Sequence, residues 1–492
     1  MCATASKLNP IDQLASSRFT EMDMNVNDSK KTKRRLAIWT PEDKTFWEQE
    51  GRAIANLNLW ISIPALFLAF AVWMVWSAVV TKLPAAGFKY STDELFWLAA
   101  LPSLTGATLR IPYSFIVSIV GGRRWTAIST LSLLVPVIGI GYAVQHVNTP
   151  YWVMVLLAAL CGLGGGNFSS SMANISFFFP KARKGSALGL NAGLGNLGVS
   201  AVQFMVPLAI SMGIFGWLGG DPQTILFHHN EFKQIWLQNA GFIWVLPITL
   251  VSTLAMLMMH DISDARASFS EQAVIFKSKH IWFTCWLYLG TFGSFIGFAA
   301  GFPLLIKSQF TGIDPLSVAW MGPFLGAISR PIGGWVADKL GGARVTFWNY
   351  IVMSLGVIGV LQFFPQNGSA GNLVGFFISF MVLFVTTGFG SGSVFRMIPI
   401  IFMEEALSQL HRKGTVVQAD ALKEGNKQAA TALGFAGAMG AYGGFFIPKS
   451  YGTSIAMTGS PSAALIGFVV FYLTCIIVTW WFYSRKGAER PC

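Results

Sequence analysis

Apolar runs of about 20 residues recur along this chain from Leu57 to Phe482, and each is long enough to cross a hydrocarbon core of about 30 Å as a helix. Only 11% of the 492 residues are charged, whereas soluble domains carry about 25%. A soluble enzyme, a disordered chain and a nucleic-acid-binding protein are therefore poor fits. A membrane β-barrel is also a poor fit, because its strands alternate in polarity. The sequence predicts an all-α membrane protein.

Twelve spans account for the length that follows the polar tail. We predict them near 58–81, 94–119, 125–145, 152–179, 185–215, 238–259, 281–306, 315–340, 345–364, 372–403, 428–452 and 462–483. The predicted organisation is a tail (1–53), a first six-helix bundle (54–259), a linker (260–280), a second six-helix bundle (281–484) and a second tail (485–492).

The first tail ends in a short predicted interfacial helix. Thr40 is the expected N-cap and Pro41 the first helical residue, with Trp39, Phe46 and Trp47 on the membrane side. The pair Arg34-Arg35 also fits a twin-arginine export signal, but charged residues follow where such a signal needs an apolar stretch.

The net charge of +12 is distributed unevenly between the two sides. Intervals on the side of both termini hold Arg123, Arg124, Lys181, Arg183, Lys184, Arg266, Lys277, Lys279, Lys339, Arg344, Arg412, Lys413, Lys423 and Lys427. The opposite intervals hold Lys82, Lys89, Lys233, Lys307 and Lys449. Lys and Arg accumulate on the cytoplasmic side, so both termini of this multi-pass protein are expected to be cytoplasmic, as twelve crossings require.

The two halves of the chain repeat each other. Gly106-Ala107-x-x-Arg110 recurs 220 residues later as Gly326-Ala327-x-x-Arg330, and Gly121-Gly122-x-Arg124-x-Thr126 recurs as Gly341-Gly342-x-Arg344-x-Thr346. A six-plus-six duplication is typical of a transporter whose halves rock about a site at their interface.

Arg110 and Arg330 carry the strongest functional signal. Each lies about 15 residues into its span, near mid-membrane, where arginine costs at least about 2.5 kcal/mol and keeps its proton. The nearest acids, such as Asp93 and Asp314, are at span ends. Two buried cations without a protein counter-charge indicate an anion-binding site.

Glycines are abundant in spans five and eleven. We single out Gly185, Gly189, Gly193, Gly195, Gly434, Gly437, Gly440 and Gly443. Close helix packing explains such ridges, and smooth helix faces also allow the halves to move past each other.

A charged turn follows span eight and predicts a conformational contact. Asp338 is expected to pair with an arginine and to hold one conformation closed, with Arg124 and Arg344 at the equivalent turns of the two halves. For Arg396, late in span ten, two interpretations stay open: snorkelling or pairing with Glu404 or Glu405, and a third contact to the anion.

No proton relay, metal or cofactor is predicted. The six histidines fall in loops or at span ends, and no Asp or Glu lies in the interior of a predicted span. His228-His229-x-Glu231 is a weak metal motif in an outer loop, and the five scattered cysteines form no disulfide framework.

At these residues the sequence resembles the nitrate/nitrite porter family of the major facilitator superfamily, in its bacterial NarK type. The matching stretches are ALPSLTGATLRIPYSF (100–115), NFSSSMANISFFFP (167–180) and the glycine-rich signatures near 185–197 and 434–446. The resemblance covers roughly 40–484, with Ala192 where the first signature would have glycine and Arg396 where the family would have a neutral residue.

The resemblance implies both a fold and a set of site residues. The fold is that of the major facilitators, with twelve helices in two pseudo-symmetric bundles. Arg110 and Arg330 would hold nitrate or nitrite, Phe168 and Phe292 would sandwich the planar anion, and Tyr288 would donate a hydrogen bond. Asn196 would line the route on the first signature helix.

The resulting hypothesis is exchange of nitrate inward for nitrite outward by a monomer that lies in lipid, uses no cofactor and serves nitrate assimilation. Nitrate–proton symport is the nearest alternative. A membrane receptor that senses the anion without moving it is an alternative of another class, and the chain carries no soluble signalling domain that would favour it.

Overall fold

The computed structural model describes residues 34–36, 38–226, 232–263, 273–310, 312–366, 369–412 and 418–492. The tail before Arg34 lies outside this range, as do Arg266, Lys413 and the motif of His228, His229 and Glu231.

Twelve helical segments run back and forth in this part of the chain. Their bounds are α1 Lys44–Val79, α2 Thr92–Val120, α3 Gly122–Ala143, α4 Tyr151–Phe178, α5 Lys181–Ile210, α6 Asn239–Met258, α7 Lys279–Gln309, α8 Met321–Leu340 with a lead-in turn Leu316–Ala319, α9 Gly342–Phe363, α10 Leu373–Arg412, α11 Gln418–Ala441 continued by Gly443–Thr458, and α12 Ser462–Ser484. Four short strands of the described ranges lie outside the helices: β1 Arg35–Leu36, β2 Gln223–Leu226, β3 Phe232–Ile235 and β4 Asp261–Ile262.

Eleven of these helices are long and apolar enough to cross a membrane, judged over the described residues. The twelfth, α8, is short and carries Arg330, Asp338 and Lys339. The predicted all-α membrane fold of twelve helices in two bundles is confirmed, and the charges of α8 explain why its apolar signal is weak.

The duplication is visible at two equivalent turns. Gly121 joins α2 to α3 with φ of 94°, and Gly341 joins α8 to α9 with φ of 88°. Side chains other than glycine rarely adopt this region. The repeated glycines therefore allow each half to make the same tight turn, which sets the direction of the helix that follows.

We call the end of the bundle that holds β1, Asp261 and Arg344 the tail face, and the end that holds Lys82, Asp93, Asp314 and Lys449 the far face. At the tail face β1 pairs in parallel with β4. The Asp261 carboxylate accepts from the backbone N–H of Arg123, at 2.8 Å, and so caps the start of α3.

The equivalent position of the second half is capped in a similar way. Ala343, 220 residues after Arg123, donates its backbone N–H to the carbonyl of Cys492 at 2.9 Å. In each half, the segment that follows the sixth helix therefore satisfies the first turn of the third.

Two expectations for the ends of helices are wrong. The N-cap of α1 is Asp43, which accepts from Thr45 and Phe46, rather than Thr40. The interfacial helix is not separate, because the chain continues helically from Lys44 into the first span.

The segment between the predicted spans ten and eleven, 404–427, is also largely helical, as α10 extends to Arg412 and α11 begins at Gln418. Glu404 and Glu405 therefore belong to the tail-face end of α10.

Candidate anion-binding site

Arg110 is almost fully buried in α2, with 1% of its surface exposed. Its Nε donates to the carbonyl of Gly165 at 3.0 Å and its Nη1 to the carbonyl of Gly437 at 2.6 Å. Its Nη2 has no partner among the described residues. The guanidinium therefore keeps one nitrogen, Nη2, whose N–H groups have no described partner, in a low-dielectric surrounding.

Arg330 is the equivalent residue of α8 and is also buried. Its Nη2 donates to the hydroxyl of Tyr288 at 2.7 Å, while its Nη1 has no partner in the described part of the chain. Neither arginine forms an ion pair with an acid that the structure describes. The two predicted cations thus remain without a protein counter-charge.

Phe292 connects the two arginines. Its ring centroid is 5.3 Å from the guanidinium carbon of Arg110 and 5.4 Å from that of Arg330. The two positive groups are therefore no more than about 11 Å apart, and both contact one aromatic ring. The tertiary structure brings together the two residues that the sequence separates by 220 positions.

A wide π-helical turn, Leu289–Gly293, positions the aromatic residues of α7. Such turns are frequent at functional sites. Tyr288 and Phe292 stack with centroids 5.2 Å apart and planes at 17°. Gly293 lies directly against Gly443 of α11, where a Cβ would not fit. The turn therefore brings both rings toward Arg330 while α7 and α11 stay in close contact.

Phe168 and Phe292 form a narrow aromatic slot beside Arg110. Their centroids are 6.4 Å apart and their planes differ by 28°. A flat guest between two rings needs about 7 Å, twice the usual contact distance between non-bonded atoms. The rings would have to separate slightly to admit a planar anion, and a bulky or tetrahedral one would need more space.

Asn196 lies in α5 with 1% of its surface exposed. Neither its amide nitrogen nor its amide oxygen has a partner in the described part of the molecule. A buried amide without partners costs free energy unless a guest or water satisfies it.

The signature glycines fall into two groups. A Cβ on Gly195, Gly437, Gly440 or Gly443 would touch a neighbouring helix or the site itself. A Cβ on Gly185, Gly189, Gly193 or Gly434 would meet no heavy atom within 4 Å. The second group lies toward the tail face, where these positions of α5 and α11 have open space beside them.

Hydrogen bonds between the two halves occur at the level of the site and toward the far face. At the level of the site, Arg110 contacts Gly437 and the hydroxyl of Thr108 lies 2.9 Å from that of Tyr442. Toward the far face, Gln203 Nε2 donates to the carbonyl of Ala299 at 2.7 Å. These described hydrogen bonds between the halves therefore lie at the level of the site and toward the far face.

Of the three residues expected to control conformation, Asp338 forms an ion pair, whereas Arg124 and Arg344 form none with a described residue. Asp338 forms an ion pair with Arg396, and both side chains are about half exposed. The expected partners Glu404 and Glu405 are wrong for Arg396, because Asp338 faces it directly from α8. Arg124 and Arg344 are exposed and form no ion pair with a residue that the structure describes. The neighbouring Arg123 pairs instead with Asp261, at 3.3 Å.

Sequence reasoning missed three contacts of the arginines. The guanidinium carbon of Arg110 lies 5.2 Å from the ring of Trp73, and that of Arg330 lies 5.5 Å from the ring of Phe395. Gly165 supplies the carbonyl that holds Arg110. Phe395, like Phe168, follows a glycine-rich stretch at the middle of its helix, and that repeated pattern was the available signal. Trp73 had none, since aromatic residues make up 14% of the chain.

Several known proteins are similar to this chain in sequence or in fold. The family model described as Major Facilitator Superfamily matches residues 61–448. The nitrate/nitrite transporter NarU of Escherichia coli (strain K12) is 48% identical over 94% of this chain and 99% of its own length. The probable nitrate/nitrite antiporter NarK2 of Thermus thermophilus is 41% identical over 93% of this chain and 98% of its own length. A crystal structure of a D-xylose-proton symporter superposes with a TM-score of 0.61 at 14% identity, over 87% of this chain and 97% of that chain, which reflects the shared fold.

Proposed function

Because the chain belongs to the NarK-type nitrate/nitrite porter family of the major facilitator superfamily, we propose that it exchanges nitrate for nitrite across a membrane by alternating access. Relatives named for nitrate and nitrite transport support the substrates. The observation that carries the proposal is that Arg110 and Arg330 both contact the ring of Phe292, and that each has one guanidinium nitrogen without a described partner.

The donor geometry suits a small planar oxyanion. A guanidinium presents its N–H groups in one plane, which matches the oxygens of nitrate or nitrite better than an ammonium does. Nη2 of Arg110 and Nη1 of Arg330 are the free donors, and the Tyr288 hydroxyl can turn its proton toward an anion oxygen. The slot between Phe168 and Phe292 favours a flat guest over a tetrahedral one.

Charge repulsion supports exchange rather than one-way movement. Two unit charges no more than about 11 Å apart repel by at least about 1.5 kcal/mol at an effective dielectric of 20. Closing the halves from both sides around the empty site would increase this repulsion. A bound anion offsets it, so the loaded carrier changes conformation more easily than the empty one.

We place the tail face in the cytoplasm and the protein in a bacterial inner membrane, because basic residues concentrate on that face. The single chain contains both halves of the site, so a monomer suffices. In this orientation the structure is the inward-facing form, from which nitrate leaves and into which nitrite enters.

Purified protein in proteoliposomes tests the proposal. Vesicles loaded with nitrite should accumulate labelled nitrate, whereas vesicles loaded with sulfate or left empty should not. Uptake into empty vesicles driven by an imposed pH gradient would contradict exchange and favour nitrate–proton symport. Saturable nitrate binding without any transport would favour a receptor.

A further inference from the structure

Among the described residues of the far face, two ion pairs each join one half of the protein to the other. Lys82, after α1, places its Nζ 2.7 Å from Asp314 Oδ2, which precedes α8. Lys449, in α11, places its Nζ 2.7 Å from Oδ1 and 2.8 Å from Oδ2 of Asp93, in the first turn of α2. Both pairs therefore connect segments that move with different halves.

Both carboxylates are held in place by the start of a helix. Asp314 Oδ1 accepts the backbone N–H of Leu316 while its Oδ2 meets Lys82. Asp93 lies in the first turn of α2, where a negative charge is favoured by the helix dipole. The Lys449 ammonium is also 5.2 Å from the ring of Trp97. Preorganised partners reduce the entropy that an ion pair loses when it forms.

Partial burial makes these pairs stronger than ordinary surface pairs. The side chain of Lys82 is 12% exposed and that of Lys449 is 27% exposed. The first half supplies the lysine of one pair and the aspartate of the other, and the second half supplies their partners. Each pair forms only when its two segments meet, so together the pairs favour one docking position of the halves.

We propose that Lys82, Asp93, Asp314 and Lys449, the far-face pairs, are positioning residues that hold the halves closed over the anion site on this face. The proposal rests on the proposed alternating access, since both pairs must separate whenever the site opens toward the far face. None of the four residues touches the site itself, so they act on the conformation and not on the anion.

Ser103 provides a reporter for this opening. It lies in α2, two turns from Arg110 toward the far face, and is fully buried. A Cβ on Gly444 of α11 would collide with its hydroxyl, and Ile296 of α7 lies beside the same glycine. Ser103 is therefore covered by the second half and becomes accessible only when the halves separate there.

The test measures the rate at which a hydrophilic maleimide labels Ser103→Cys in purified protein without any anion. The same protein without this cysteine gives the background. Lys82→Gln and Lys449→Gln should each raise the rate about fivefold, the upper range for one exposed ion pair. The double variant should raise it about 25-fold, because the pairs share no residue and their effects multiply. High ionic strength should raise the rate in the parent and change it little in the double variant.

Three matched variants separate pairing from other effects. Lys307→Gln removes a charge from an exposed lysine of the same face that forms no ion pair with a described residue, and should label like the parent. Lys82→Arg and Lys449→Arg keep the charge and should keep the protection. The proposal is overturned if the glutamine variants label like Lys307→Gln, or if the arginine variants label like the glutamine variants. The labelling assay needs no nitrate, so an unexpected labelling result would leave the proposed nitrate–nitrite exchange intact. If the labelling pattern is as expected but the vesicles do not exchange nitrate for nitrite, the result counts against the proposed substrates alone.

Discussion

Arg110 donates from Nη1 to the main-chain carbonyl of Gly437, 2.6 Å away, so the arginine of the first half is bound to the signature helix of the second. The same guanidinium is bound through Nε to Gly165 of its own half. Two main-chain carbonyls thus orient the group and leave Nη2 for a guest. This arrangement defines what a substitution at the site should change.

Arg110→Lys and Arg330→Lys should each abolish most exchange while the protein still folds. An ammonium keeps the charge but cannot hold the planar pattern of donors, and a lost charged hydrogen bond costs about 1.5–3 kcal/mol, or roughly 10- to 150-fold. Nitrate–nitrite counterflow in proteoliposomes measures the loss. Arg52→Lys, at an exposed arginine, is the control. Near-parental exchange by Arg110→Lys would remove that residue from the site.

Phe292→Leu should weaken anion binding by about tenfold. The ring contacts both guanidinium groups and forms one wall of the slot, and each cation–π contact is worth about 0.5–2 kcal/mol. Phe295→Leu is the matched control, since Phe295 packs on Phe292 but contacts neither arginine. Titration of nitrate against intrinsic fluorescence gives both affinities. Equal losses in the two variants would indicate a general packing effect.

Gly440→Ala should reduce nitrate affinity, whereas Gly434→Ala should not. A Cβ on Gly440 would lie 2.8 Å from the ring of Tyr288 and 3.2 Å from that of Phe292, so both rings would have to move. A Cβ on Gly434 meets nothing within 4 Å. Equilibrium binding in detergent is the suitable measurement, because transport also depends on the opposite conformation. Unchanged affinity in Gly440→Ala would show that the rings do not set the site.

Asp261→Ala, which removes the accepting oxygen, should lower the apparent melting temperature. Asp261 caps α3 and pairs with Arg123, and loss of a cap typically costs about 1 kcal/mol. Thermal unfolding followed by tryptophan fluorescence reports the change. Glu48→Gln, at an exposed acid of the same face, should leave the melting temperature unchanged. Equal melting of both variants and the parent would mean that the cap contributes nothing measurable.

Much of the fold could be predicted because its signals are local. Apolar length predicted the helices, and the repeat of Gly121 and Arg124 at Gly341 and Arg344 predicted the duplication, which the two positive-φ turns reproduce. The ends of helices were less predictable. Asp43 rather than Thr40 caps α1, because both residues suit the role and packing of the tail decides between them.

The candidate site was predictable only in part. Arg110 and Arg330 stand out because a permanent charge in an apolar span has few explanations. Trp73 and Phe395 do not stand out, since one aromatic residue among many carries no signal of its own. Arg396 pairs with Asp338 rather than with Glu404 or Glu405, and a partner on another helix is not visible from neighbours in sequence.

The amino-acid sequence alone determined that this chain crosses a membrane many times, that its halves are duplicated, and that each half carries an arginine near mid-membrane with no acid nearby in sequence. These properties follow from composition and period, which need no knowledge of contacts. The tertiary structure alone decided that both arginines contact Phe292, that Asp261 caps α3, and that ion pairs join the two halves at the far face. Each of these relationships joins residues far apart in the chain, and only the packing of helices brings them within hydrogen-bonding or van der Waals distance.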